Sequence, residues 1–136
     1  MKRCIAFMCL LVAVGLAACS GDSKNAVEDP NIFPKDYQRE ILTTLTNQLE
    51  DPTNIRESGI TEPMLRQAGR EQRYVVCVRY NARNLNRHYM GVKERVAYFY
   101  GGRLNQFVDA DQGQCAGAPY KPWTELEKYC LAKTCA

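Results

Sequence analysis

Apolar residues recur every three to four positions between Tyr37 and Leu49, at Tyr37, Ile41, Leu42, Leu45 and Leu49. That spacing lines one face of a helix, so the pattern predicts a helix from Tyr37 to about Glu50, capped by Asp36. Asp51-Pro52 ends it, because proline disfavours helical backbone in the residue before it. The period then changes. From Arg73 to Arg83, residues Tyr74, Val76, Val78 and Tyr80 alternate with Arg73, Val75, Cys77, Arg79 and Arg83, the two-residue repeat of a strand. Glu94 to Tyr100 and Arg103 to Asp109 are further strand-like runs around Gly101-Gly102, a dipeptide that accepts the positive φ of a tight hairpin turn. Such a turn would set Phe99 opposite Leu104 and Val96 opposite Phe107. Asn54 to Thr61 reads as a weak strand, and Met64 to Gly69 as a turn of helix or a loop.

This hairpin puts large apolar groups on both faces of the sheet, so each face needs a cover. The first helix supplies one. Pro122 to Leu131, with Trp123, Leu126 and Cys130 at helical spacing, supplies the other. The expected fold class is α+β: an N-terminal helix and a C-terminal helix packed on a three- to four-stranded antiparallel sheet.

The first nineteen residues follow a different logic. Lys2 and Arg3 precede an apolar run from Ile5 to Val14, and Leu16-Ala17-Ala18-Cys19 follows. A charged stretch, a short apolar run and small residues before a cysteine resemble a bacterial lipoprotein signal, cleaved before an acylated Cys19. The run falls short of the roughly 20 apolar residues a membrane span needs. An ordinary secretory signal cut near Ala18 is the competing reading. Ser20 after the cysteine resembles sorting to the outer membrane, facing the periplasm. The expected organisation is a signal at 1–18, an acylated cysteine and flexible tether at 19–34, and one small domain at 35–136.

Removing the signal lowers the formal charge from +3 to +1, because Lys2 and Arg3 leave. The charges are unevenly spread. Cys19 to Glu62 holds four Lys/Arg and nine Asp/Glu, whereas Pro63 to Phe107 holds nine Lys/Arg and two Asp/Glu. Export argues against nucleic acid as the partner of this basic block. Its arginines either face solvent and balance the acidic segment or bind anionic groups, for which the guanidinium fork is suited. Arg79, Arg83, Asn84 and Arg87 are the candidate partner-binding residues, for an envelope protein or an anionic envelope polymer.

Cys4 and Cys9 leave with the signal, so Cys77, Cys115, Cys130 and Cys135 remain beside the acylated Cys19. Four thiols in an oxidising compartment read as two disulfides with three possible pairings. Loop-closure entropy favours the short ring Cys130–Cys135, which would leave Cys77–Cys115. The spacings contain no C-x-x-C and His88 is the only histidine, so no metal ligand set is named.

Asp51-Pro52-Thr53, then Val76-Cys77-Val78-Arg79-Tyr80-Asn81-Ala82-Arg83-Asn84, then Tyr89-Met90-Gly91-Val92-Lys93 resemble a group of small exported bacterial proteins. That group carries D-P-x-S/T, then V-C with N-A-K/R-N, then Y-x-G-x-K/R. The resemblance covers roughly residues 50–100 and departs at Leu85-Asn86-Arg87-His88, where the group has a glycine-containing loop. It implies a fold and no activity.

Acyl-transfer chemistry needs a nucleophile with a base and an orienting group. With the cysteines oxidised and one histidine available, no catalytic residue and no cofactor is expected. The leading reading is a membrane-anchored envelope lipoprotein acting as a non-enzymatic binding or assembly module. The alternative is a periplasmic inhibitor of a hydrolase, lysozyme or protease, presenting the loop from Asn84 to Tyr89.

Overall fold

The β-branched run around Val76 becomes the central strand of an antiparallel sheet. The computed structural model describes residues 29–129; Cys19, Cys130 and Cys135 lie outside them. The elements are α1 (Tyr37–Gln48), β1 (Asp51–Ile60), β2 (Met64–Ala68), β3 (Glu71–Arg83), β4 (Tyr89–Tyr100), β5 (Arg103–Asp109), β6 (Lys121–Pro122) and α2 (Thr124–Glu127). The strand order is β5-β4-β3-β1-β6, and β2 also pairs with β3. The α+β expectation therefore holds with six strands in place of three or four.

β1 and β2 occupy one edge of β3, as a bent strand broken at Thr61-Glu62-Pro63. β2 pairs with the first part of β3 (Met64 opposite Val75), and β1 with the second (Ile60 opposite Val78). Thr61 bridges the break: its N–H donates to the Cys77 carbonyl at 3.0 Å, and its Oγ1 accepts from the Cys77 N–H at 3.0 Å. A buried hydroxyl thus replaces a missing backbone acceptor, as a buried N–H requires. The segment expected as a turn of helix or a loop at 64–69 is strand, because its partner edge on β3 outweighs its weak local pattern.

Both helices lie on one face, which corrects the expected sandwich. Tyr37, Ile41 and Leu45 of α1 join Val76, Val78, Tyr80, Ala97 and Phe99 of the sheet and Trp123 and Leu126 at α2 in a single core. α2 has only four residues and starts after Pro122, which belongs to β6. Ser58 clips it to β1: its N–H donates to Glu127 Oε1 at 3.1 Å and its Oγ to the Trp123 carbonyl at 2.9 Å. The opposite face holds Val75, Cys77, Val96 and Cys115 with Tyr98, Ala118 and Tyr120. Its cover is the irregular segment 110–120, tied down by a Cys77–Cys115 disulfide. Sequence periodicity sees helices and strands, so a covering loop with no period was invisible to it.

The register of the β4–β5 hairpin is half as expected. Phe99 faces Leu104, but a bulge between Tyr98 and Phe99 moves Phe107 opposite Ala97 and Val108 opposite Val96. Phe107 thereby reaches the helix-side core, where Ala97 leaves room for it. Asp36, expected as a side-chain cap, makes no cap hydrogen bond and pairs with Arg39 at 3.1 Å instead. Packing begins before residue 35. The Pro30 carbonyl accepts from the Gly101 N–H, and the Phe33 ring meets Tyr74 edge-on at 5.4 Å. Gly102 (φ +78°) is needed here, since a Cβ would lie 3.0 Å from Ile32 Cγ2.

Candidate functional site

One end of the sheet gathers most of the residues singled out in the sequence. Asp51 opens β1 directly opposite Arg83 at the end of β3. Arg83 Nη2 lies 2.6 Å from Asp51 Oδ2, and the other carboxylate oxygen accepts from the Thr53 hydroxyl at 2.6 Å and the Thr53 N–H at 2.9 Å. Each side chain of the pair keeps only 18% of its exposure. Burial works to raise the Asp51 pKa, but the hydrogen bonds from Thr53 and Arg83 outweigh it and hold the carboxyl below its ordinary range.

The neighbouring residues form a second set of ties. Asn81 Nδ2 donates to Glu57 Oε1 at 3.0 Å, and Asn81 Oδ1 accepts from the Gly91 N–H at 3.0 Å. Here Met90 and Gly91 together oppose Ala82, a bulge in β4 made possible by φ +89° at Gly91. The Tyr89 hydroxyl donates to the Asn54 carbonyl at 2.7 Å, and the Arg56 guanidinium stacks on the Tyr89 ring at 4.4 Å. Asn54, Glu57 and Arg87, the three non-glycine residues with left-handed φ among those described, all lie at this end. Such backbone costs of order 1–3 kcal/mol each and persists where surrounding ties over-determine it. The ties just described do so.

The connection between β3 and β4 is closed by Asn84. Its N–H donates to the His88 carbonyl at 2.9 Å, its carbonyl accepts from the Arg87 N–H at 2.9 Å, and its Oδ1 accepts from the His88 N–H at 3.0 Å. Glu50 Oε2 accepts from the Leu85 N–H at 3.0 Å, fastening the loop to the end of α1. The result is a fixed loop from which Leu85 projects, 76% exposed; at the start of β4, Met90 (63% exposed) on the helix-side face and the half-exposed Val92 on the other are also open to solvent. Under Met90 lies a recess of about 260 Å³, lined by Leu49, Tyr80, Ala82, Met90 and Lys93 among others.

The four candidate binding residues do not form one surface. Arg83 is consumed by Asp51. Asn84 spends its side-chain oxygen on the loop. Arg79 stacks on Tyr120 at 4.8 Å over the disulfide-bearing face, and the Tyr120 hydroxyl donates to Glu94 Oε1 at 2.9 Å. Burial and the adjacent Glu94 carboxylate push that phenol's pKa up. Arg79 and Arg87 are both exposed and outside every ion pair among the described residues, and of the two only Arg79 stacks on a ring. His88 takes part in the loop's hydrogen bonds through its backbone.

Sequence reasoning missed the apolar members, Leu85, Met90 and Val92. A signal for them was present: they are apolar residues in a polar stretch that fit no helical or strand period. The arrangement offers recognition by shape, apolar contact and positive charge. Among the described residues no cluster of three or more His, Cys, Asp and Glu could hold a metal ion. Comparison with protein-family models, curated proteins and solved structures gave no match.

Proposed function

We propose that this chain is a membrane-anchored bacterial envelope lipoprotein, acylated on Cys19 and sorted to the outer membrane, where it acts as a non-enzymatic binding or assembly module. The observation that carries the reading is Leu16-Ala17-Ala18-Cys19 behind a basic and apolar leader. The Cys77–Cys115 disulfide supports it, since such bonds persist in oxidising compartments. On this reading the recognition surface is the fixed loop at 84–88 with Leu85, Arg87 and Met90, and its ligand is an envelope protein or an anionic envelope polymer.

Replacing Cys19 with alanine tests the anchor. The expected outcome is loss of acylation and a chain that is either unprocessed or released, read by fractionation and intact mass. A Cys19→Ala chain that still fractionates with membranes at the normal processed mass would rule the anchor out.

A second reading is favoured by the loop itself. A pre-organised loop loses little conformational entropy on binding, which is how rigid inhibitors gain affinity. The protein would then be a periplasmic inhibitor of a hydrolase, with Leu85 entering the active-site cleft. The Leu85→Asp, Arg87→Glu variant separates the two proposals from a purely structural role for the loop. Pull-downs from solubilised envelopes should lose their specific partner with this variant while thermal stability is unchanged. The captured protein, a hydrolase or an assembly component, decides between them. Capture that is equal with both chains would move the recognition surface elsewhere.

A further inference from the structure

The two ends of the sheet differ in what they expose. The loop at 84–88 closes one end. Opposite it, β4's twelve residues away and so about 35–40 Å distant at strand rise, lie the turns at Gly69-Arg70 and Gly101-Gly102. The chain also arrives there, through Pro30 to Phe33. Nine residues separate Cys19 from Asp29, and ten peptide steps span at most about 35 Å. An acylated Cys19 is therefore tethered within about 35 Å of this end.

The same end carries an apolar surface that the described residues leave exposed. Ile32 and Phe33 are each 45% exposed. Phe33 stacks on Tyr74, whose cross-strand neighbour Leu65 is also exposed. At the same end but on the opposite face, the partly exposed Tyr100 lies under the Arg73 guanidinium, 4.8 Å from its ring. The local acids Asp36, Glu40 and Glu71 are bound to Arg39, Arg103 and Arg73. Lys35, Arg66 and Arg70 are in no ion pair among the described residues, with only Asp29 to oppose them. Among the described residues the uncompensated charge at this end is positive.

We infer that this end is a bilayer-docking surface: Ile32, Phe33, Leu65 and Tyr100 settle into the headgroup region of an anionic phospholipid membrane, with Lys35, Arg66 and Arg70 against its phosphates. Aromatic and branched apolar side chains ringed by Lys and Arg suit that interface, with its apolar depth and wet, charged rim. The inference rests on the acylated Cys19 reading. Its consequence is orientation: the domain stands upright, and the loop at 84–88 faces away from the membrane.

Two variants that each add one tryptophan test it, Phe33→Trp at the docking end and Leu85→Trp at the far end, both at exposed positions. Native Trp123 is fully buried and gives a constant background. Each full-length processed chain is mixed with excess vesicles of phosphatidylethanolamine and phosphatidylglycerol whose acyl chains are brominated. Quenching at position 33 should exceed that at position 85 several-fold. Equal quenching, or stronger quenching at 85, overturns the docking surface.

The same reporters in a Cys19→Ala background separate this inference from the anchor. If acylation is real, the alanine chains lose flotation with the vesicles, yet in lipid excess position 33 is still quenched. That quenching should fade as salt rises from 0.1 to 1 M and the screening length falls from about 10 to 3 Å. If native and alanine chains float alike, the anchor fails while the docking result stands on its own. Absence of quenching at position 33 in both backgrounds refutes docking whatever Cys19 carries.

Discussion

Removing the Cys77–Cys115 disulfide should destabilise the domain by about 4 kcal/mol, the largest single effect expected in this molecule. The bond closes a loop of sequence separation 38, and chain-entropy scaling gives that value for a ring of this length. The rest of the argument is local. Within the segment 110–120 the backbone makes turns with short-range hydrogen bonds, such as Gln114 N–H to the Asp111 carbonyl and Ala118 N–H to the Cys115 carbonyl. Three hydrogen bonds tie it to β4: Ala110 N–H to the Glu94 carbonyl, Gln114 Nε2 to the Tyr98 hydroxyl and the Tyr120 hydroxyl to Glu94. Without the crosslink it would have to cover Val75 and Val96 mainly with Ala110, Ala118 and Tyr120. The measurement is urea denaturation of Cys77→Ala, Cys115→Ala against the oxidised native chain, with the native chain under reductant as a check. The two reduced forms should agree and both fall well below the oxidised one. A midpoint shift equivalent to less than about 1 kcal/mol would mean the loop holds itself, and that the bond adds little to the 2–5 kcal/mol usual for small exported domains.

Where the chain carries a strict period, its fold was readable. The three-to-four spacing of Tyr37, Ile41 and Leu45 gave α1 to within two residues, and the alternation around Val76 gave the centre of β3. Three kinds of feature escaped. Strands set by a partner rather than by their own pattern were the first: β2 reads as polar because it is an edge, exposed along most of its length. Bulges were the second. One inserted residue near Tyr98 turned Phe107 to the other face, and no property of Phe107 itself announces that. Covers without secondary structure were the third, as the segment 110–120 shows. The candidate site was half legible for a related reason. The motif residues Asp51, Thr53, Asn81, Arg83, Asn84, Tyr89 and Gly91 do converge in space, but they converge on one another. Polar residues in a motif can mark a built loop end as readily as a ligand site, and only their hydrogen bonds tell the two apart. Arg83 illustrates it: an arginine in a basic block whose Nη2 is already taken by Asp51 and Thr53.

Breaking that pair should cost about 2–3 kcal/mol, between the 0–1 of exposed ion pairs and the 3–5 of fully buried ones, since both side chains remain 18% exposed. Asp51→Ala would leave the Arg83 guanidinium without its anion and strip Thr53 of its acceptor. Arg83→Glu would be worse, because two carboxylates would then face each other across the β1–β3 ladder. Arg87→Glu, in the adjoining loop and outside any ion pair, should stay within about 0.5 kcal/mol of native. The pH dependence carries a separate signature. Asp51 is held below its ordinary pKa in the folded chain, so the folded state binds its proton less readily than the unfolded one. The clasp's contribution is therefore complete above the unfolded value, about pH 4, and is lost as pH falls through the folded one. Native protein should lose stability steeply below about pH 4, and Asp51→Asn should show a shallower acid limb while being weaker at neutral pH. Parallel acid limbs in the two proteins, or a neutral-pH difference under about 1 kcal/mol, would reduce Asp51–Arg83 to a surface pair. Arg83 would then again be available to a ligand.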